Sequence, residues 1–405
     1  MKEYRGSFPE NFYWGTAISS YQTEGDNTHS DWWEYERAGR IGNGVHSGKA
    51  ANHYECYEED FDLIQSLHNN SFRFSLEWSR IEPQSGQFDM TAIEYYRSYI
   101  LSLRKRGIEP FVTLWHYTLP VWLAERGGWL HKDAHRYFVR YVKFVMENLI
   151  ADTDVRYLIT MNEPLVYVLC SYINKKYPPQ QASIVSAVRV VRKLIKAHRM
   201  SYRAIGKIKK GMRVGIAKNN TYFDTLSKKR IDRFIVFIAG YAWNRYFLNR
   251  IRRHSDFVGI NYYFHNRISF RWRKLFNPRT IFNCNENEDT SDTGWEIYPA
   301  GIYYVLMEAR RQQKPIFILE NGVADAKDRI RSLFIMEHLK YVWKAMRDGA
   351  DVRGYFYWSL IDNFDWADGF DPRFGLFEVD YDDYSRHPRV SARVYADICR
   401  YGKIV

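Results

Sequence analysis

The sequence is poor in cysteine and has no long apolar run. Four cysteines, Cys56, Cys170, Cys284 and Cys399, are scattered through 405 residues without a C-x-x-C pair, which argues against a disulfide framework and against a zinc site. No stretch approaches the ~20 apolar residues of a membrane-spanning helix, and the first residues, MKEYRGSFPENFYWG, have no apolar signal core. We therefore predict a cytoplasmic, reduced protein with no membrane span and no metal.

Linkers are absent as well. The chain has no Gly/Ser-rich or Pro-rich tract and no low-complexity segment. Its apolar fraction of 46% and its charged fraction of 26% are ordinary for a globular protein. We therefore expect residues 1–405 to form one domain with a large core, because barrels often exceed the usual ~150 residues per domain.

Aromatic residues, by contrast, are abundant, with 13 Trp, 32 Tyr and an aromatic share of 17%. Some of them must fill the core. Trp and Tyr also suit sugar sites, because a flat ring packs on the C–H face of a pyranose while its polar atom stays hydrogen-bonded. Composition alone leaves both interpretations open.

The net charge is +12, and the basic residues cluster in Val188–Arg213, Ser227–Arg253 and Arg267–Arg279. Such patches can attract nucleic acid, an anionic membrane or an acidic glycan. No nucleic-acid-binding motif accompanies them, so we do not expect a nucleic-acid partner and favour a solvated basic face. A weak attraction to anionic surfaces stays open and would appear as salt-sensitive binding.

A short apolar strand pattern followed by a longer helical pattern recurs along the chain. Amphipathic helices are predicted over Ala92–Arg106, Ala134–Leu149 and roughly Ile184–Ile205. The predicted strands, rich in β-branched or aromatic residues, are Phe12–Ser19, Phe72–Trp78, Pro110–His116, Tyr157–Asn162, Arg213–Lys218, Asp256–Tyr262, Pro315–Glu320 and Val352–Trp358. No Gly-rich phosphate-binding turn follows the first strand, which disfavours an open nucleotide-binding sheet. Eight such units predict an α/β fold, a closed (β/α)₈ TIM barrel with its active site at the C-terminal face of the strands.

Two glutamates stand where predicted strands end. The fourth strand runs into T-M-N-E-P with Glu163, and the seventh runs into I-L-E-N-G with Glu320. A carboxylate at the end of an apolar strand is costly to bury without a purpose. Two facing carboxyl groups are the minimal apparatus for cleaving a glycosidic bond, one as proton donor and one as nucleophile or base. Satisfied structural glutamates are the alternative, and sequence does not give the separation that distinguishes retention from inversion.

These motifs, with others in the same order along the chain, resemble family 1 of the glycoside hydrolases, the β-glucosidase group. The other matching segments are Phe12–Ala17, Tyr21–Gly25, Phe72–Ser75, Trp78–Ile81, Leu114–Pro120, Gly259–Tyr263, Gly294–Pro299, Trp358–Trp366 and Arg373–Leu376. The resemblance therefore covers the chain from residue 8 to about 380.

The resemblance implies a role for each candidate residue. Glu163 is implied as the acid and then the base, and Glu320 as the nucleophile that forms a covalent glycosyl intermediate. Arg73 and Tyr263 are implied to orient Glu320 and keep it ionised, so we expect a low pKa for Glu320 and a protonated Glu163 at working pH. The implied sugar-binding residues are Gln22, His116, Asn162, Asn261, Trp358, Asp365 and Trp366, with Trp358 as a platform under the ring.

The sequence departs from the family pattern in two places. Position 365 is Asp where the family usually has Glu contacting the sugar 4- and 6-hydroxyls, which leaves the preference among glucosides, galactosides and fucosides open. A small residue followed by Lys and Tyr, typical of members acting on 6-phospho sugars, is absent. The connection Asn219–Ser255 and the loop after the sixth strand are short, which predicts an open site or a missing or abbreviated barrel helix, loose aglycone selectivity and local mobility near Phe264–Glu288.

The resemblance thus implies a retaining exo-β-glycosidase without metal or cofactor, acting on a small-molecule β-glycoside or a short oligosaccharide. One alternative is a transglycosylase, in which an acceptor sugar replaces water at the same site. Another is a catalytically weak sugar- or glycolipid-binding barrel. The sequence does not specify an oligomeric state.

Overall fold

A computed structural model describes residues 6–225, 227, 229–268 and 290–404. Eight parallel strands form a closed barrel, and we number them β1 to β8 in chain order. They are β1 Tyr13–Ala17, β2 Ser71–Ser75, β3 Glu109–Thr113, β4 Tyr157–Asn162, β5 Arg213–Asn219, β6 Val258–Asn261, β7 Ile316–Asn321 and β8 Val352–Trp358. Around the barrel each strand lies beside its neighbours in sequence, and β1 pairs with β8 in the register Tyr13 to Gly354. The predicted (β/α)₈ barrel is therefore confirmed, and each predicted strand corresponds to one barrel strand.

Helices cover the outside of the barrel. The α-helices are Ser20–Thr23, Asp31–Arg37, His53–Ser66, Trp78–Ile81, Met90–Lys105, Val121–Glu125, Ala134–Val145, Pro164–Tyr172, Ile184–Ile208, Arg230–Gly240, Tyr246–Ile251, Pro299–Ala309, Arg331–Arg347 and Val390–Tyr401. Single π-helical turns extend two of them, at Met146–Ile150 and Tyr241–Arg245. Short 3₁₀ turns occupy Gly42–Gly44, Gly128–Leu130, Arg252–His254, Arg310–Gln312 and Trp366–Asp368, and two small sheets pair Tyr222–Thr225 with His265–Ile268 and Phe377–Val379 with Arg386–Pro388.

The barrel interior is filled by aromatic rings below the C-terminal face. Phe111 packs against Phe317 and Phe356 with ring centroids 5.2 and 4.7 Å apart. Trp358, at the end of β8, belongs to the same buried cluster. Because these rings close the middle of the barrel, a ligand can enter only at an end, and the strand ends that carry polar side chains form the site.

A helix does follow β5, so the alternative that a barrel helix is missing is wrong. It runs through Arg230–Gly240 and continues through the π turn into Tyr246–Ile251. The segment Phe264–Glu288, for which local mobility is predicted, lies outside the described residues from position 269 onward. Its first residues form the short strand His265–Ile268.

Cys56, Cys170 and Cys399 are free thiols, while Cys284 lies outside the described residues. In the described part of the chain, no helix is long and apolar enough to cross a membrane. The same residues contain no cluster of three or more His, Cys, Asp or Glu side chains that could hold a metal ion.

Candidate active site

A cavity of about 230 Å³ opens at the C-terminal ends of the barrel strands. Nine of the predicted site residues line it, namely Gln22, His116, Asn162, Glu163, Tyr263, Glu320, Trp358, Asp365 and Trp366. The other two, Arg73 and Asn261, are fully buried directly behind it. The structure thus brings all the predicted residues together, while their roles stay predictions.

Glu163 is held at the junction of β4 and the helix Pro164–Tyr172. It has a φ of 39°, in the left-handed region that non-glycine residues rarely adopt, and Pro164 occupies the first helical position. Its Oε1 accepts hydrogen bonds from Asn261 Nδ2 at 2.9 Å and from Asn219 Nδ2 at 3.2 Å. Its Oε2 accepts from the Tyr117 hydroxyl at 2.5 Å. Both oxygens are therefore fixed, and the strained backbone marks a position where function is a reasonable hypothesis.

Glu320 is the last residue but one of β7 and faces the same cavity. Arg73 donates to its Oε1, and the Tyr263 hydroxyl donates to its Oε2 at 2.5 Å. The next residue but one, Gly322, leaves no room for a side chain, because a Cβ there would lie 1.7 Å from the carbonyl oxygen of Trp358. This glycine is therefore required by the close approach of β7 to β8 and not by its φ angle. It allows the end of β7 to pack against the end of β8.

One hydrogen-bond chain joins the two carboxylates. Asn162 Oδ1 accepts from Arg73 Nη2 at 2.7 Å and from Asn261 Nδ2 at 3.1 Å. Asn261 also reaches Glu163, and Arg73 also reaches Glu320. The Asn162 oxygen thus accepts from two donors. The Nδ2 group of the same amide donates to Nε2 of His116 at 3.0 Å.

The neighbouring His116 is neutral. Burial lowers its pKa well below the usual value, and the positive charge of Arg73 lowers it further. Because Nε2 accepts from Asn162, the ring proton must sit on Nδ1, which is buried and has no hydrogen-bond partner among the described residues. The buried ring is thus oriented by its hydrogen bond to Asn162.

The expected low pKa of Glu320 is wrong. Burial raises the pKa of Glu320 to about 7; Arg73 opposes this, and the negative charge of Glu163 adds to it. The sequence pattern identified the neighbouring Arg73, but it did not reveal how completely the barrel end removes both groups from water. Desolvation penalises the charged carboxylate more than the single arginine compensates.

Asp365 stands at the outer side of the cavity, in the loop after β8. Burial raises its pKa to about 7, the negative charge of Asp368 raises it further, and Lys176 lowers it. Trp366, next along the chain, stacks on Tyr21 with ring centroids 5.7 Å apart. Gln22 is fixed through a hydrogen bond from its Nε2 to Asn363 Oδ1 at 3.0 Å.

Three of the cavity residues that escaped the sequence-based prediction connect to Glu163. Tyr117 and Asn219 contact Glu163 directly, and Trp243 lines the cavity and donates to Asn219 Oδ1 at 3.4 Å. Asn219 had a detectable signal, because it is a polar residue immediately after an apolar strand. Trp243 had none, since it lies within a basic helical segment far along the chain from any motif.

A closed (β/α)₈ barrel with two linked carboxylates at the ends of β4 and β7 is the arrangement expected of a glycoside hydrolase. The sequence model of Glycosyl hydrolase family 1 matches residues 4–244 and 244–403. The chain belongs to this family, and the protein is a glycoside hydrolase.

Relatives of known name match this chain along nearly its whole length. The chain is 31% identical to β-glucosidase A of Thermotoga maritima, over 97% of this chain and 98% of that protein. Among solved structures, it superimposes on a β-glycosidase from Pyrococcus horikoshii with a TM-score of 0.92 and 40% identity, covering 99% of this chain and 96% of the other. A Thermotoga maritima β-glucosidase in complex with glucoimidazole gives a TM-score of 0.91 and 30% identity, covering 98% and 99% of the two chains.

Proposed function

We propose that the protein is a retaining exo-β-glycosidase that hydrolyses β-D-glucosides, with β-galactosides and β-fucosides as further substrates. The observation that carries the proposal is the pair of carboxylates, Glu163 and Glu320, in one cavity and joined by a single chain of hydrogen bonds. Membership of family 1 and the names of the relatives support the same reaction class. A double displacement with two carboxylates is the mechanism that such a pair serves.

In the first half-reaction, Glu320 attacks the anomeric carbon and the bond from that carbon to the aglycone oxygen breaks. Glu163 gives its proton to that oxygen, so the aglycone leaves as an alcohol. In the second half-reaction, water attacks the same carbon and gives a proton to Glu163, and the ester bond to Glu320 breaks. The sugar leaves with its original anomeric configuration, and both carboxyl groups return to their starting states.

Sugar recognition is proposed to use the fixed polar groups around this pair. His116 and Asn162 line the cavity and are proposed to bind ring hydroxyls, while Trp358 supplies an apolar surface. The hydrogen bond from Asn162 to the 2-hydroxyl is proposed to strengthen as positive charge develops on the ring. The complex of a related β-glucosidase with glucoimidazole supports a glucose-sized ligand here.

The proposal is tested by the anomeric configuration of the sugar product and by the order of preference among three substrates. Proton NMR of 4-nitrophenyl β-glucoside hydrolysis should show the β-anomer of glucose first and the α-anomer only after mutarotation. Release of 4-nitrophenol from the β-glucoside, β-galactoside and β-fucoside should then give the order of preference. First appearance of the α-anomer would refute retention, and no release from a well-folded protein would favour the binding-barrel alternative.

Lengthening Asp365 is expected to change which sugar is preferred. In the Asp365→Glu variant the carboxylate regains one methylene of reach toward the 4- and 6-hydroxyls. A hydrogen bond to a charged group is worth ~1.5–3 kcal/mol, so kcat/KM for the β-glucoside should rise relative to the β-fucoside, which lacks the 6-hydroxyl. Asp371→Glu, at an exposed position nearby, is the control. An unchanged glucoside-to-fucoside ratio would show that Asp365 does not contact the 6-hydroxyl.

Removing the Tyr263 hydroxyl should move the acid side of the pH profile. Glu320 must be ionised to attack, and its pKa of about 7 results from burial opposed by Arg73 and by the hydrogen bond from Tyr263. Wild-type kcat/KM should therefore fall as the pH drops through about 7. In Tyr263→Phe the pKa of Glu320 should rise further, so the fall in kcat/KM should begin at a higher pH. The variant should therefore lose more kcat/KM relative to the wild type at acidic pH than at alkaline pH.

The matched control is Tyr262→Phe, because the adjacent Tyr262 hydroxyl donates to the carbonyl of Tyr298 and not to Glu320. Its pH profile should coincide with that of the wild type. An equal loss at every pH in Tyr263→Phe would contradict the prediction, since it would mean that the hydroxyl affects turnover without acting on the ionisation of Glu320.

A further inference from the structure

Lys218 is a fully buried lysine near the end of β5. The other residues that point from this strand toward the helices, Val214 and Ile216, are apolar. Lysine at such a place is costly, because an ammonium group loses its hydration unless other groups replace it. The proposed mechanism does not use this residue, so its charge calls for a separate explanation.

The surroundings of Lys218 supply only partial compensation. Its Nζ donates to the backbone carbonyl of Asn219 and lies 4.9 Å from the centre of the Trp243 indole ring, at cation–π distance. Glu308, whose charge also acts on Lys218, makes its own contacts with Arg245 at 3.2 Å and with Asn244 at 2.7 Å. Among the described residues no carboxylate forms a direct ion pair with the ammonium, which packs instead against Trp243, a residue of the cavity wall.

Two hydrogen bonds connect this wall of the cavity to Glu163. Trp243 donates its indole N–H to Asn219 Oδ1, and Asn219 Nδ2 donates to Glu163 Oε1. Burial lowers the pKa of Lys218 to about 7, and the negative charge of Glu163, followed by that of Glu308, opposes the decrease. Because such coupling is mutual, a charged Lys218 favours an ionised Glu163 as much as the reverse.

We propose that Lys218 is a positioning residue that stabilises the ionised form of Glu163, acting through Asn219, in the half-reaction where Glu163 takes a proton from water. This inference rests on the proposed role of Glu163. In the first half-reaction the negative charge of Glu320 opposes ionisation of Glu163. When Glu320 becomes an ester that opposition disappears, and the buried ammonium then favours the carboxylate that the second half-reaction requires.

The groups that face Lys218 set the sign of the effect. The negative charges acting on it are those of Glu163 and Glu308, and Arg245 partly offsets Glu308. Removing the ammonium should therefore make the ionised form of Glu163 less stable. It should consequently slow the second half-reaction.

The experiment uses Lys218→Met with 2,4-dinitrophenyl β-glucoside, whose leaving group needs no proton from Glu163. A burst of dinitrophenolate establishes that the second half-reaction limits kcat. Because Lys218 carries its charge below about pH 7, kcat should fall in that range while kcat/KM stays unchanged. Azide attacks without a general base, so it should restore kcat and give the β-glucosyl azide.

Two further variants complete the test. Lys340→Met, on the outer helix Arg331–Arg347, should behave like the wild type. Lys218→Gln removes the charge but keeps a polar side chain, and should show the same fall in kcat with azide rescue even where Lys218→Met does not fold. Equal losses of kcat and kcat/KM without azide rescue, or no change at all, would overturn the inference.

Glu163→Ala is measured in parallel to separate the proposed role of Lys218 from the proposed catalytic role of Glu163. If azide fails to give the β-glucosyl azide with Glu163→Ala, the proposed function itself is wrong. If Glu163→Ala is rescued in this way but Lys218→Met and Lys218→Gln are not, only the role of Lys218 is refuted.

Discussion

Replacement of Glu320 by glycine should abolish hydrolysis and create a site that accepts a small external nucleophile. Without its carboxylate the first half-reaction has no attacking group, and loss of an essential nucleophile costs on the order of 10⁴-fold or more in turnover. Azide or formate can occupy the vacated space and attack the anomeric carbon from the same side as Glu320 did. Only one displacement then takes place, so the azide product should be the α-glucosyl azide.

The measurement is NMR of the product formed from 2,4-dinitrophenyl β-glucoside with azide. Glu109→Gln is a suitable control, because Glu109 is a buried glutamate at the opposite end of the barrel, paired with Arg104 and Arg156. It should keep its turnover, and thermal unfolding should show that Glu320→Gly is folded. A folded Glu320→Gly protein that neither azide nor formate revives would argue against Glu320 as nucleophile.

Replacement of Glu163 by alanine should give a loss that depends on the leaving group. General acid catalysis contributes about 10²–10⁴-fold, and this factor should be lost from kcat/KM for alkyl β-glucosides, whose aglycone must be protonated. For the 2,4-dinitrophenyl glucoside kcat/KM should be largely preserved, while kcat falls because water then lacks its base. Azide should restore kcat and give the β-glucosyl azide, the result of two displacements.

The two glutamate variants together assign the roles by stereochemistry. The α-azide from Glu320→Gly and the β-azide from Glu163→Ala would assign the nucleophile and the acid/base as proposed. Exchange of the two products would reverse the assignment. A loss in Glu163→Ala of the same size for every leaving group would show that Glu163 is structural rather than a proton donor.

The barrel and its two glutamates were predictable because their signals are local. Each strand is a short apolar run followed by an amphipathic helix, and Glu163 and Glu320 end two of these runs. Boundaries moved by a few residues, and β5 ends at Asn219 rather than Lys218. That single residue matters, because Asn219 is the one that contacts Glu163.

The missed features depend on distant parts of the chain. Trp243 reaches the cavity only through the path of the helix after β5, and no periodicity within its own segment indicates that position. The pKa of Glu320 likewise follows from burial by the whole barrel end and not from its neighbours in sequence. The specificity implied by Asp365 needs the relative position of a sugar, which neither the pattern nor the fold alone supplies.

The pairing of β1 with β8 also bears on how the protein folds. These strands meet near Tyr13 and Gly354, and the hydrogen bond from Gln22 to Asn363 spans 341 residues. Contacts of such long range form slowly, because the entropy of closing a long loop is lost before the contacts stabilise the chain. A growing chain therefore keeps two unpaired strand edges until β8 has been synthesised. Gln22 and Trp358 come together only when the ring closes, so sugar binding can report the completion of folding.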